Sequence, residues 1–130
     1  MTVEELSQLY YLKREISNIE YRIAELEAKA TDISAKITGM PHSGKSGDKI
    51  GSIVSQIDCY KSALKKKLAE CTSELIRLNE YISACPDSFT RQILEYRFID
   101  GMSWNQVADQ IGGTSEYAVK HTAYRYIRKN

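Results

Sequence analysis

Hydrophobic positions recur along the first two thirds of the chain with a helical rhythm. Leu9, Leu12, Ile16, Ile19, Ile23, Leu26, Ala30, Ile33 and Ile37 follow one another at alternating steps of three and four. That spacing keeps one stripe facing a partner helix, and the intervening residues are largely Glu, Lys, Arg and Ser. It predicts a single helix from Glu4 to about Thr38. The rhythm returns in Ile50, Ile53, Ile57, Tyr60 and Leu64, and again in Leu68, Cys71, Leu75, Leu78 and Ile82. A second helix is therefore expected from Asp48, its N-cap, to about Ala84. The step from Leu64 to Leu68 adds a second consecutive four, a stutter that should unwind a supercoil near Lys65–Lys67. Helices of similar length joined by about ten residues fold most simply into an antiparallel hairpin. Tyr10, Tyr11, Tyr21, Val54 and Ile76 lie off the main stripe and widen the apolar surface. A second copy or the C-terminal helices can use it, and a homodimer is expected.

Gly39 to Lys49 breaks the pattern. The segment contains Gly39-x-x-x-x-Gly44-Lys45-Ser46, the string of a phosphate-binding loop. Such a loop needs a strand leading in and an acidic residue on a neighbouring strand to hold magnesium. No apolar strand is evident in this chain, so the segment reads as a helix–helix connector. His42, Lys45 and Lys49 remain available to touch a phosphate backbone.

Pro86 opens a second unit, since a proline biases the preceding residue out of the helical region. The expected division is residues 1–85 as the long hairpin and 86–130 as a three-helix unit. Asp87 or Ser88 can cap a short helix containing Phe89, Ile93, Leu94, Arg97 and Phe98, ended by Gly101. Ser103 and Gln106 form a capping box for the next helix, with Val107, Ala108 and Ile111 as its apolar face and Trp104 in the core. Gly112-Gly113 ends it, and Thr114 or Ser115 caps the last helix. Ala118, Val119, Thr122, Ala123, Tyr126 and Ile127 form the inner face of that helix. Tyr117, Lys120, His121, Tyr124, Arg125 and Arg128 are left to cover its outer side and flanks. Two short helices at a steep angle, the second basic and aromatic outside, are the sequence form of a helix-turn-helix. The fold class is all-α.

Charge sharpens this picture. The net formal charge is only +1, yet residues 115–130 hold four Lys/Arg against one Asp/Glu. A near-neutral whole with a local positive excess fits one contact surface rather than a non-specific nucleic-acid coat. The Lys65–Lys67 run reads as a solvated face. Cys59, Cys71 and Cys85 form neither a close-spaced metal pair nor a disulfide framework, and read as buried or half-buried helical thiols. Only His42 and His121 are present, and no carboxylate pattern resembles a two-metal centre. No enzyme activity, metal or cofactor is expected. No apolar run has the length of a membrane span and the N-terminus lacks the basic character of a signal peptide, so a cytoplasmic protein is expected.

The string Tyr96-Arg97-Phe98-Ile99-Asp100-Gly101-Met102-Ser103-Trp104, with Val107-Ala108, Ile111-Gly112 and Val119, resembles the C-terminal DNA-binding region 4 of sigma-70-type factors. The similarity covers about a third of the chain. Val119 stands one residue later after Gly112 than that pattern usually places it, which makes Gly113 an additional turn residue. Joined to long N-terminal helices, the chain resembles phage late-gene transcriptional regulators of the RinA/ArpU type. The resemblance implies sequence-specific binding of double-stranded DNA in a bacterial host cell, with RNA polymerase as a further partner. Lys120, Arg125 and Arg128 are then the phosphate or base-edge contacts, and Tyr117, Lys120, His121 and Tyr124 the base readers. By analogy with sigma-type domains, Ser115 and Glu116 meet the backbone or the groove. The plainer alternative is a solvated helix whose terminal cations suit its dipole. Two other functional classes share these parts: a small terminase-type packaging subunit, and a sigma-like polymerase-binding adaptor that does not bind DNA.

Overall fold

A computed structural model describes residues 1–37 and 45–130. It is all-α, with no strand among the described residues. In chain order the elements are α1 (Val3–Leu6), α2 (Gln8–Ile37), α3 (Lys45–Ser83), α4 (Ser88–Leu94), a π-helical turn (Glu95–Ile99), α5 (Trp104–Ile111) and α6 (Glu116–Lys129).

Several boundaries differ from expectation for local reasons. The first helix is interrupted at Ser7, giving α1 and α2 instead of one helix from Glu4. Thr2 and Glu5 form a capping box that starts a turn of its own: the Thr2 hydroxyl accepts from Glu5 N–H at 3.2 Å and the Glu5 carboxylate from Thr2 N–H at 3.0 Å. The Ser7 hydroxyl then donates back to the Val3 carbonyl at 2.8 Å, a local bond that competes with a regular helix. Asp48 is not the N-cap of α3, because the helix already begins at Lys45. Asp48 lies in its first turn, where a carboxylate complements the helix dipole. Lys45–Lys49 are thus helical, while Gly39–Gly44 of the expected connector, with His42 and most of the phosphate-loop string, lie outside the described residues. Leu68, expected in the apolar stripe, is 48 % exposed. Lys67 is the more enclosed of the two and pairs with Glu15 at 2.8 Å. Taking Lys67 as the stripe position restores the three-four alternation from Ile53 to Cys71, and α3 runs through Lys65–Lys67 without interruption.

By packing, the chain forms two compact units, one made of Met1–Lys13 with Glu70–Asn130 and the other of Arg14–Ala69. In the second unit Ile23, Ile53 and Ile57 are buried, with Ile19, Leu26, Ala30, Ile33, Tyr60 and Leu64 packed on them. Ion pairs between its two helical segments join Glu15 to Lys67 at 2.8 Å and Glu27 to Lys61 at 3.9 Å, so the segments run in opposite directions. Such exposed pairs contribute little, about 0–1 kcal/mol each; the isoleucine stripe holds this unit.

The first unit does not follow the break at Pro86. Ile93, Leu94 and Phe98, Trp104, Val107 and Ala108, and Val119, Ala123 and Ile127 share one core with Leu6 and Leu9 from the N-terminal segment and Leu78 and Ile82 from the end of α3. Helix α3 stops at Ser83, as Pro86 requires, and Asp87 caps α4 by accepting the Thr90 N–H at 3.1 Å and its hydroxyl at 2.6 Å. The wider π turn that follows places Phe98 edge-on to Trp104 at 6.4 Å and sets the Arg97 guanidinium 4.6 Å over the same indole. Arg97 also donates to the Met102 carbonyl at 2.9 Å, and Lys13 Nζ to the Ile99 carbonyl at 2.8 Å. Met102 N–H reaches back to the Tyr96 carbonyl at 3.1 Å, which closes the turn through Gly101. Gly101 has φ +73°, and a Cβ there would lie 3.3 Å from the Tyr10 ring.

Two predictions follow from this packing. Leu6 is fully buried, so Leu6→Ala should cost about 2–5 kcal/mol in unfolding followed by Trp104 fluorescence. Leu68→Ala should stay within about 0.5 kcal/mol. Equal effects would contradict the placement of the N-terminal segment in the core. The bonds from Thr90, chiefly its hydroxyl and then its N–H, hold the Asp87 carboxyl below its ordinary value. The stabilisation is therefore present above the unfolded value of about 3.9 and disappears as pH falls through the lower folded value. Asp87→Asn keeps a capping oxygen without the charge and should flatten the acid limb of a stability–pH curve. An unchanged limb would rule out this contribution.

Candidate nucleic-acid interface

The placement of α6 begins with two helix ends. Helix α5 starts with the expected reciprocal box: Gln106 N–H donates to Ser103 Oγ at 3.2 Å, and Ser103 N–H to Gln106 Oε1 at 2.9 Å. It ends at Gly112, whose φ of +78° and ψ of +149° lie in a region effectively reserved for glycine; Gly113 follows at φ +69°. Ser115 then caps α6 by accepting the Ala118 N–H at 3.1 Å. Of the two expected caps, Ser115 makes this bond. Its oxygen is engaged there, so toward a ligand it chiefly offers its O–H as a donor.

The inner side of α6 is as expected. Val119, Ala123 and Ile127 are buried and Ala118, Thr122 and Tyr126 half-buried, against α4 and α5. Thr122 satisfies its hydroxyl on the Ala118 carbonyl at 2.8 Å. Tyr126 meets Tyr81 edge-on at 5.8 Å. Burial raises both phenols above their ordinary value, with neighbouring Cys85 adding to the effect, so both are neutral supports at physiological pH.

Tyr117, Lys120, His121, Arg125 and Arg128 are exposed on the other side. Steps of three and four bring Tyr117, His121, Arg125 and Arg128 onto one outward strip, with Lys120 and Tyr124 along its flank. The Tyr117 and His121 rings stack at 5.6 Å with only 9° between their planes. Lys120 Nζ lies 5.9 Å over the Tyr124 ring. Tyr124 is half-buried on the flank of the helix, because its ring packs edge-on to Trp104 at 5.7 Å. Arg128 Nε donates to the Tyr124 carbonyl at 3.4 Å, a long bond within the helix. Glu116 is the single acidic residue of α6, and it lies in the first turn.

The structure thus gathers Ser115, Tyr117, Lys120, His121, Tyr124, Arg125 and Arg128, with Glu116 among them, on one short helix and its cap. The arrangement offers cations, an imidazole and aromatic faces. It offers no nucleophile with a positioned base. Among the described residues no group of three or more His, Cys, Asp or Glu can hold a metal, and no helix is long and apolar enough to cross a membrane. The cysteines are distributed differently from the expectation of enclosed helical thiols: Cys59 is exposed, Cys71 half-buried, and Cys85 buried just beyond the end of α3. Arg97 and Lys13 were not evident from sequence as contributors. Both act on backbone carbonyls distant from their own helical pattern, which no local spacing announces. Away from α6, a hollow of about 300 Å³ is lined by Tyr10, Tyr11, Arg97 and Gln106 among others, but Arg97 and Gln106 are already committed to Met102 and Ser103.

Comparison with known proteins adds no identification: neither a protein-family profile, nor a curated protein, nor a solved structure matches this chain.

Gly112 sets where α6 begins, and nothing lies within 4 Å of the place its Cβ would occupy. Gly112→Ala should therefore cost about 1–3 kcal/mol from backbone strain alone. Gly51→Ala, in the second turn of α3 with equally open surroundings, should be neutral or stabilising by up to about 1 kcal/mol. Thermal unfolding of the two variants checks this. A Gly112→Ala protein as stable as the parent would contradict the assigned turn.

Proposed function

We propose that the chain is a sequence-specific double-stranded DNA-binding transcriptional regulator, of the phage late-gene type its sequence resembles. In this reading α4 to α6 are a helix-turn-helix unit, and the long helices form an antiparallel hairpin through which two copies associate. Each α6 enters a major groove, and the dimer sets the spacing of the half-sites. Regulation is positional: the protein holds its site and contacts or recruits RNA polymerase.

The observation that carries this reading is the division of α6 into two chemistries. Its inner side is apolar and packed, while its outer side holds Tyr117, Lys120, His121, Arg125 and Arg128 in one strip. Arginine and lysine supply attraction to phosphates, and the Tyr and His side chains can meet base edges or methyl groups. Exposed Tyr11, Tyr21, Val54 and Ile76 leave apolar surface for a second copy.

The test is the solution mass by light scattering, with and without duplex fragments from the protein's own genomic neighbourhood. A dimer that captures a discrete fragment is expected. Arg125→Ala and Arg128→Ala should each weaken that capture and lower the slope of log K against log salt by about 1. A closed ring would point instead to a terminase-type packaging subunit. Absence of duplex binding at low salt would contradict the proposal and leave a protein-binding adaptor.

A further inference from the structure

On the outer side of α6, Tyr117, Lys120, His121 and Tyr124 surround a shallow hollow of about 190 Å³. Two features distinguish it from an ordinary exposed helix face. Tyr117 is 75 % exposed, yet its ring is not loose: it lies parallel to His121 one turn along. Such a stacked pair presents a broad, flat aromatic surface. The opposite wall is braced from beneath, because Tyr124 packs on Trp104, which is itself buried in the core and covered by Arg97. A hollow with one self-stacked wall and one core-anchored wall has little side-chain freedom left to lose on binding.

Its chemistry limits what it can accept. The rim is cationic, with Lys120 over Tyr124 and Arg125 and Arg128 exposed farther along α6, which suits a polyanion. The walls are aromatic. Among the groups that unmodified B-DNA presents in its major groove, the thymine C5-methyl is the apolar one; the others are hydrogen-bond donors and acceptors. The hollow exceeds a single methyl in volume, and so can also receive the adjoining edge of the pyrimidine ring.

We infer that this hollow is a thymine-methyl-reading site: the stacked Tyr117–His121 pair and the Tyr124 ring contact the C5-methyl of one thymine in each half-site. Lys120, at the rim, holds the strand by its charge. This rests on the DNA-binding reading above and assigns within it which side chains discriminate sequence and which base they read. Arg125 and Arg128 then supply affinity without choice of base, and Tyr117, His121 and Tyr124 supply the choice.

The test uses the full chain and a duplex selected from a random pool. Each thymine of the selected site is replaced in turn by deoxyuridine, which removes only the methyl group. The wild-type protein should lose about 3–10-fold in affinity at one thymine per half-site, and Tyr117→Ala should bind the thymine and uracil duplexes equally. Tyr117 is exposed, so a circular dichroism spectrum matching that of the parent is expected and serves as the folding control. His121→Ala should reduce the discrimination in the same direction. Wild-type binding indifferent to every replacement, or a penalty that persists undiminished in Tyr117→Ala, would overturn the inference while leaving DNA binding intact. Recovery of no duplex by the wild-type protein at low salt would overturn the DNA-binding reading itself, and this assignment with it.

Discussion

Helix α6 has 14 residues, a length at which an isolated helix is only marginally formed in water. It is held by the burial of Val119, Ala123 and Ile127, which pack against α4 and α5. Fully burying a valine or isoleucine contributes about 1.5–3 kcal/mol, so these few side chains outweigh the weak intrinsic tendency of the segment to stay helical. Because the inner strip carries that task, the outer strip is free to hold Tyr117, His121, Arg125 and Arg128, none of which stabilises the core. The core they depend on is wider than the three short helices. Leu6, Leu9, Leu78 and Ile82 close it, so the N-terminal segment and the end of α3 are structural parts of the unit that presents α6.

Trp104 connects these layers. It follows the Ser103 cap and receives Phe98 and Arg97 from the π turn and Tyr124 from α6. The entry angle of α6 is set independently by Gly112 and the Ser115 cap. Position is thus fixed by backbone conformation and by ring packing, and the outer aromatic face inherits that order through Tyr124.

Much of this arrangement was legible because its causes are local. The Ser103–Gln106 box, the glycine turn, the Asp87 cap and the inner and outer strips of α6 each depend on residues within four positions of one another. The Thr2–Glu5 box was equally local and was masked by the stronger seven-residue pattern beginning at Leu9. What sequence did not reveal depends on distant partners. A periodic stripe says that a helix is covered, not by what, so Leu6 and Leu9 gave no sign of joining the core of α4 to α6. Lys67 displaced Leu68 from the stripe because a long aliphatic stem can lie along an apolar seam while its ammonium reaches Glu15. The π turn carries no composition that separates it from an α-helix, and the stacking of Tyr117 on His121 required the rotamers of both. Tyr117, Lys120, His121, Tyr124, Arg125 and Arg128 could be named from helical spacing, and Ser115 from the resemblance to sigma-type domains; which of them are braced and which are free could not.

The most direct test of the account is to titrate the labelled protein with a selected duplex and follow amide and side-chain NMR signals. The largest changes are expected on Tyr117, Lys120, His121, Tyr124, Arg125 and Arg128, with residues 14–69 little affected. Changes centred on Lys65–Lys67, with α6 silent, would place the DNA on the long helices and contradict the assignment of α6 as the reading element.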